Sequence, residues 1–174
     1  MADDVTVKVN DQPVRLSLEG FKARIGVKPI LNIFGAIMQD SKEKTFREQG
    51  SPAGSWPALA PSTLKRRGFV TGDKILIRKA ILKNSINEQI VVNGDSGQLL
   101  HGTNVIYARI HQEGGFAGRK APKHKGKRNK PFHRPFIPAR PYLVFRPEDP
   151  QRMHDAAETY IDAQAGAAGL KGGL

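Results

Sequence analysis

Between Ala117 and Phe136 the chain carries eight cations, Arg119, Lys120, Lys123, Lys125, Lys127, Arg128, Lys130 and Arg134, and no acidic residue. Pro122, Pro131, Pro135, Gly118 and Gly126 in the same stretch break both helical and strand periodicity. A segment of that kind repels itself, stays extended as a free chain and cannot form core. The sequence therefore predicts a basic projecting arm over 114–135, inserted in a domain built from the residues on either side. Setting these eight cations aside from the net charge of +12 leaves only +4 for the other 154 of 174 residues. The electrostatic pull toward an anionic partner, whether nucleic acid or an acidic protein surface, thus belongs to one segment rather than to the whole fold. The length suits one domain with a real core and excludes a large multidomain enzyme.

There is no cysteine, which removes disulfides, thiolate metal sites, iron-sulfur clusters and cysteine nucleophiles. Five scattered histidines and the carboxylates are the strong ligands that remain, so neither a metal nor a cofactor is expected. The start Met1-Ala2-Asp3-Asp4 is acidic, and no apolar run approaches the roughly 18 residues of a membrane span. A soluble protein, neither secreted nor membrane-inserted, is the expectation.

Hydropathy patterning around the arm predicts a mixed α+β domain over 1–162 and a Gly/Ala-rich tail over 163–174. Val5, Val7 and Val9 alternate with polar residues, Asn10-Asp11 offers a turn, and Val14, Leu16 and Leu18 alternate again, which reads as a hairpin. From Val27 to Gln49 the spacing becomes helical. Val27, Ile30, Leu31, Phe34, Ile37, Met38 and Phe46 form its apolar stripe, and Lys42, Glu43, Lys44, Arg47 and Glu48 are assigned to its solvent side. Gly35 within it is either a point of close backbone approach or simply tolerated.

Ser62 or Thr63 is expected to cap a short basic segment through Arg67, and a second helix is expected from Asp73 through Leu82, although Ile75-Leu76-Ile77 could open as a strand. A second hairpin runs from Ser85 to Gly102 around Asn93-Gly94-Asp95, followed by a short helix over Val105–Gln112 closed by Gly114-Gly115. After the arm, Phe136–Phe145 reads as a strand whose Pro138 and Pro141 confine it to an edge. Glu148-Asp149-Pro150 starts a last helix that buries Met153, Ala156, Ala157, Tyr160 and Ile161. The summed expectation is a small, mainly antiparallel sheet packed with a long helix and a C-terminal helix, plus the arm.

The sequence holds no phosphate-binding glycine loop, nucleophile elbow or zinc-protease helix. Asp73, Glu88, Asp95 and Glu113 are the central acids a carboxylate and Mg²⁺ nuclease would need to converge, and their spacing favours nothing of the kind. His111 could serve as a base, but a structural histidine beside the Gly-Gly break is the stronger reading. No enzymatic activity is expected. Trp56, the only tryptophan, is read as a core plug ahead of an interface anchor. Arg140, between two prolines, suits a specific salt bridge or a contact across subunits. Phe132, His133 and Phe136 could stack on bases while the arm's cations track phosphate, which keeps a stand-alone nucleic-acid-binding protein as the alternative function.

Four blocks in order complete the reading. They are Phe46-Arg47-Glu48-Gln49-Gly50 with Pro52 to Leu59 and Ser62-Thr63-Leu64; Lys74-Ile75-Leu76-Ile77 with Leu82-Lys83-Asn84-Ser85-Ile86; Tyr107 to Gly115; and Ile137-Pro138-Ala139-Arg140-Pro141-Tyr142-Leu143. Together, across roughly 27–160, they resemble the virion morphogenesis, or tail completion, proteins of Mu-like tailed bacteriophages. The chain departs from that pattern at Arg78-Lys79-Ala80, where the family usually places Thr-Gly, and in the length of its arm. The resemblance implies a structural subunit of a neck ring, commonly of six copies, in the virion at the head-tail interface, assembled in the host cytoplasm. It also implies self-contacts, a head connector protein on one side, a tail tube or tail terminator protein on the other, and DNA passing through the lumen. The arm's eight cations, with Arg140 and Trp56, are the candidate partner-binding residues, directed at an acidic protein surface or at DNA.

Overall fold

A computed structural model describes residues 12–67, 74–117 and 135–170. Its axis is the long helix read from the apolar stripe. Helix α1 (Gln12–Arg24) leads into α2 (Val27–Glu48), and the last helix, α6 (Asp149–Ala167), packs against both. Phe46 is fully buried and Ile37 and Met38 nearly so, as the stripe requires. Lys42 departs from its expected solvent position and is only 4% exposed. It stands four residues from both Met38 and Phe46, so helical geometry places it on the buried stripe. Ser41 and Thr45 are buried beside it.

The expected N-terminal hairpin is not formed by its second half, because Val14, Leu16 and Leu18 lie in α1. Ser17, Gly20 and Phe21 give that helix its half-buried side, while Leu16 and Leu18 are exposed. The end of α1 is tied down by Tyr160, whose hydroxyl donates to the Arg24 carbonyl (3.2 Å) and accepts from the Gly26 N–H (3.4 Å). The hairpin's first half, Val5 to Asp11, lies outside the described residues.

The second hairpin is formed as read. Strands β3 (Asn87–Asn93) and β4 (Ser96–Gly102) pair antiparallel with Ile90 opposite Leu99, and Gly94 takes the left-handed conformation its turn requires (φ 59°). The hairpin lies on α2. Gly35 faces this hairpin, where a β-carbon would stand 2.2 Å from Glu88 Oε2, the free end of an exposed side chain. The tight neighbour is a flexible side chain and not backbone, so no close backbone approach requires this glycine.

Strands β1 (Gly50–Ser51) and β2 (Gly54–Ser55) form a tight turn after α2, and β5 (Gly115–Phe116) pairs with β6 (Phe136–Ile137). The described residues thus hold three separate two-stranded antiparallel ladders rather than one sheet. The strand expected over Phe136–Phe145 ends at Ile137, since Pro138 and Pro141 have no N–H to extend a ladder.

Three helix boundaries also shift. Helix α3 begins at Pro61, with the Thr63 and Leu64 N–H groups donating to Ala60 O, so Ser62 and Thr63 sit inside the helix instead of capping it. The helix expected from Asp73 is replaced over 75–79 by turns, with Leu76 at φ 65° and Ala80 at φ 52°, and only α4 (Ile81–Asn84) is helical. Asp73 itself is outside the described residues. Helix α5 occupies Ala108–Glu113, and Gly114 follows it at φ 76°. Helix α6 starts at the Glu148-Asp149-Pro150 signal but continues through Ala163 to Ala167, because its alanines propagate a helix well. Met153, Ala156, Ala157 and Tyr160 form its inner side, whereas Ile161 turns outward at 38% exposure.

Candidate functional site

The core at the end of α2 is a cluster of Phe46, Trp56, Leu82, Ile86, Ala108 and Tyr142. Phe46 meets Trp56 edge-on at 5.5 Å and Tyr142 at 5.9 Å. Around this cluster, irregular segments that have no sheet to join are held by side chains. Gln49, itself left-handed at φ 56°, donates to Phe46 O (2.7 Å) and Ile75 O (3.3 Å) and accepts from the Ile75 N–H. Gln112 donates to Leu143 O (2.9 Å) and accepts from the Tyr142 and Leu143 N–H groups (3.0 and 3.1 Å). Trp56 Nε1 donates to Pro141 O at 2.9 Å. Each of these satisfies a backbone group that a strand partner would otherwise supply.

Arg140 is 3% exposed and donates from Nε to Pro57 O (2.9 Å) and from Nη2 to Ala58 O (3.0 Å). Among the described residues its hydrogen bonds go to carbonyl oxygens and not to a carboxylate, which corrects the expected salt bridge. Burial pulls its pKa below the ordinary arginine value, yet a guanidinium keeps its charge in a protein. Trp56 is likewise turned inward, at 5% exposure. Both of these partner-binding candidates are therefore committed to tying one segment of the subunit to another, and neither is presented on its surface.

The eight cations from Arg119 to Arg134 lie outside the described residues, but the root of their segment does not. Gly115 pairs with Ile137 and Phe116 with Phe136, and the Ala117 N–H donates to Pro135 O at 2.9 Å. The two ends of the cationic segment are thus held side by side at one point of the body. Phe116 and Phe136 meet edge-on at 5.3 Å on its outside, each about three-fifths exposed (60% and 62%).

Beside this root opens a groove of about 1080 Å³. Its lining is mostly apolar, including Leu59, Leu76, Ile81, Ile106, Phe136 and Pro138, and the root residues Ala117 and Pro135 belong to it. Its charged residues are Arg78, Lys79 and the buried Arg140, with no acid among them. Ile106 is 99% exposed and Ile81 53%. An apolar surface so open, next to a cationic segment, is what a binding face for another chain looks like.

The catalytic candidates among the described residues do not converge. Glu113 is ion-paired with Arg109 at 2.8 Å on the surface, Glu88 is exposed on β3 with its carboxylate beside Gly35, and Asp95 sits at the hairpin tip, about 20 Å of strand away from Glu88. The His111 ring meets Tyr107 edge-on at 5.8 Å and its carbonyl accepts from the Arg140 N–H, a structural setting. The trio of His154, Asp155 and Glu158 is brought together on α6 but on its solvent-exposed side. No helix among the described residues is long and apolar enough to cross a membrane.

Sequence reasoning missed the buried polar links. Asp149, completely buried, accepts from Ser41 Oγ (2.6 Å) and from the Arg146 N–H (2.8 Å), which joins α6 to α2. The sequence marked Asp149 only as a helix-start acid. A serine on the buried stripe facing such an acid was the available signal.

Comparison with known proteins bears directly on these features. The model of the phage virion morphogenesis family matches residues 9–162, which contain every block stapled around the core. The chain is also 26% identical over 159 residues to the Mu-like prophage FluMu G protein 2 of Haemophilus influenzae, covering 90% of this chain and 96% of that one. No solved structure matches it. With the match spanning both the stapled core and the root of the arm, the chain belongs to the phage virion morphogenesis family, and its work lies in virion assembly.

Proposed function

We propose that the chain is a structural subunit of the phage neck, a tail completion protein that forms a ring, of six copies, where the finished tail joins the filled head. It acts by contact and not by catalysis. What carries this reading is the junction of an open apolar groove with the clamped root of an eight-cation arm, in a chain of the virion morphogenesis family. The partners are neighbouring copies, the head connector protein and the tail tube or tail terminator protein. DNA in the lumen meets the ring only through non-specific charge. Electron microscopy of particles made without the protein tests the reading: separate heads and tails are expected, and normally joined virions refute it.

The arm's composition also supports a second reading, a stand-alone nucleic-acid-binding protein. That reading requires an affinity for DNA that falls steeply with salt and disappears when residues 117–135 are deleted. Weak retention on DNA, insensitive to salt, rules it out.

A further inference from the structure

The groove has a chemistry that narrows its occupant. Its lining is apolar, and its exposed charges, Arg78 and Lys79, are both positive. At about 1080 Å³ it is large for a small-molecule pocket, and Ile81, Ile106 and Phe136 stand more than half exposed around it. A surface of that kind suits a protein face that sets an apolar side chain among carboxylates. The outer side of α6 is such a face. Asp155, Glu158 and Asp162 follow one another along it at helical spacing, and Ile161 stands exposed beside them. The helix has no lysine, and its one arginine, Arg152, is turned to Asp40 of α2 at 2.8 Å. His154 lies against Asp155 and Glu158, at 3.6 and 3.7 Å, so this side is acidic whenever that imidazole is neutral.

This face does not reach the groove of its own subunit. Helix α6 lies along α2 in the opposite direction: Asp149 accepts from Ser41 Oγ near its start, and the Tyr160 hydroxyl bonds the Arg24 carbonyl and the Gly26 N–H further on. Ile161 therefore stands at the Val27 end of α2. The groove lies at the other end, since Leu82 in its lining packs in the cluster that holds Phe46. From Val27 to Phe46 the helix rises about 28 Å. We propose that the groove of one subunit receives the outer side of α6 of a second copy. Ile161 enters beside Ile81 and Ile106, and Glu158 and Asp162 face Arg78 and Lys79. The contact joins two different surfaces, so it is of the head-to-tail kind that closes into a ring. The proposal rests on the ring reading above and supplies its self-contact.

The absence of cysteine makes a clean test available. Full-length Ile106→Cys and Ile161→Cys variants, one of them carrying a terminal tag so that the heterodimer has its own position on a non-reducing gel, are mixed in equal amounts and oxidised with diamide. Val92→Cys, on β3 and exposed to the same degree as Ile161, replaces Ile161→Cys in the control mixture. A disulfide forms readily only when the two β-carbons come within about 4.5 Å, so a heterodimer yield about fivefold above the control is expected. Equal yields in the two mixtures overturn the proposal. So does a double variant, Ile106→Cys with Ile161→Cys, that closes within a single chain. Lys79→Glu added to the Ile106→Cys chain should lower the yield, and Glu158→Lys added to the Ile161→Cys chain should restore it; a yield that neither charge change moves also overturns the proposal. All of these positions are exposed, so the substitutions leave the core untouched. Failure here leaves the particle-joining experiment unaffected, and the two ideas fall separately.

Discussion

Gln112 holds the segment between the arm and α6 by three hydrogen bonds, and its removal measures how much that segment depends on a single side chain. In Gln112→Ala the donor to Leu143 O and the acceptor for the Tyr142 and Leu143 N–H groups disappear together. Each neutral hydrogen bond contributes about 1 kcal/mol net, and a buried N–H left without a partner costs about 1–3 kcal/mol. Tyr142 is only 2% exposed, but the truncated side chain leaves space through which water can reach some of these groups. The expected loss is about 2–4 kcal/mol, which is a large share of the stability of an ordinary domain. For a chain of this size it lowers Tm by about 10 °C. Urea and thermal unfolding, followed by the fluorescence of Trp56, read this directly, since the single tryptophan packs on Phe46 inside the affected cluster. Gln112→Glu keeps the single acceptor for the two N–H groups but sets a carboxylate oxygen against Leu143 O in place of the donor, so it too should be destabilised. Gln98→Ala, on the exposed face of β4, serves as the control and changes stability by less than about 0.5 kcal/mol. A Gln112→Ala loss no greater than the control's would show that packing alone fixes the segment.

Ala80 stands at φ 52°, where an L-residue pays about 1–2 kcal/mol that glycine does not. Ala80→Gly should stabilise by about 0.5–1 kcal/mol after the added freedom of the unfolded chain is counted, and a destabilised variant in the same urea assay refutes this. His101, on β4 opposite Glu88, has neither ring nitrogen hydrogen-bonded among the described residues. Burial first, and then the nearby Lys42, hold its pKa below the ordinary imidazole value, with Glu88 opposing in part. The unfolded chain takes up this proton near pH 6.5, above the folded chain's value, so stability is full above that pH and declines as pH falls through the window below it. His101→Gln should flatten the stability profile between pH 7 and pH 5, and an unchanged slope would exclude His101 as its source.

Elements that announce themselves by periodicity were legible. The stripe from Val27 to Phe46, the Asn93-Gly94 hairpin and the Glu148-Asp149-Pro150 helix start are each a local pattern with one inexpensive solution, and each is formed. Val14 to Leu18 misled because two alternations fit a helix turn as well as a strand, and Ser17 and Phe21 at helical spacing outweighed them. The stretch 75–80 was illegible for a different reason. Leu76 and Ala80 adopt left-handed backbone that neither residue prefers, and only tertiary contacts, such as Gln49 holding Ile75, select it. The family resemblance had marked this place without explaining it, since the Thr-Gly that is usual there would ease the turn that Ala80 makes. Of the candidate site, the cationic segment is legible from charge alone, and its course lies outside the described residues. The groove is not legible, because Leu59, Ile81, Ile106 and Phe136 come from four distant parts of the chain and share no sequence pattern.

The candidate partner-binding residues show how the molecule separates two tasks. Trp56 and Arg140 are the kinds of side chain that often anchor interfaces, yet here they bond inward to Pro141, Pro57 and Ala58. Proline-rich segments cannot build a ladder, and a body of short strands has little other means of holding them, so its large polar side chains serve as internal ties. What remains outside among the described residues is an apolar groove and, beside it, the root of the cationic segment, where Gly115 to Ala117 meet Pro135 to Ile137. The paired root fixes where the segment with the eight charges joins the body. Apolar contact in the groove can then be tuned by shape, and the arm's attraction to an acidic neighbour or to DNA by salt, with little coupling between the two. If the subunits form the proposed ring, substitutions in the groove should alter how tightly copies hold one another, and substitutions among the eight cations how that hold depends on ionic strength, both read by sedimentation at two salt concentrations.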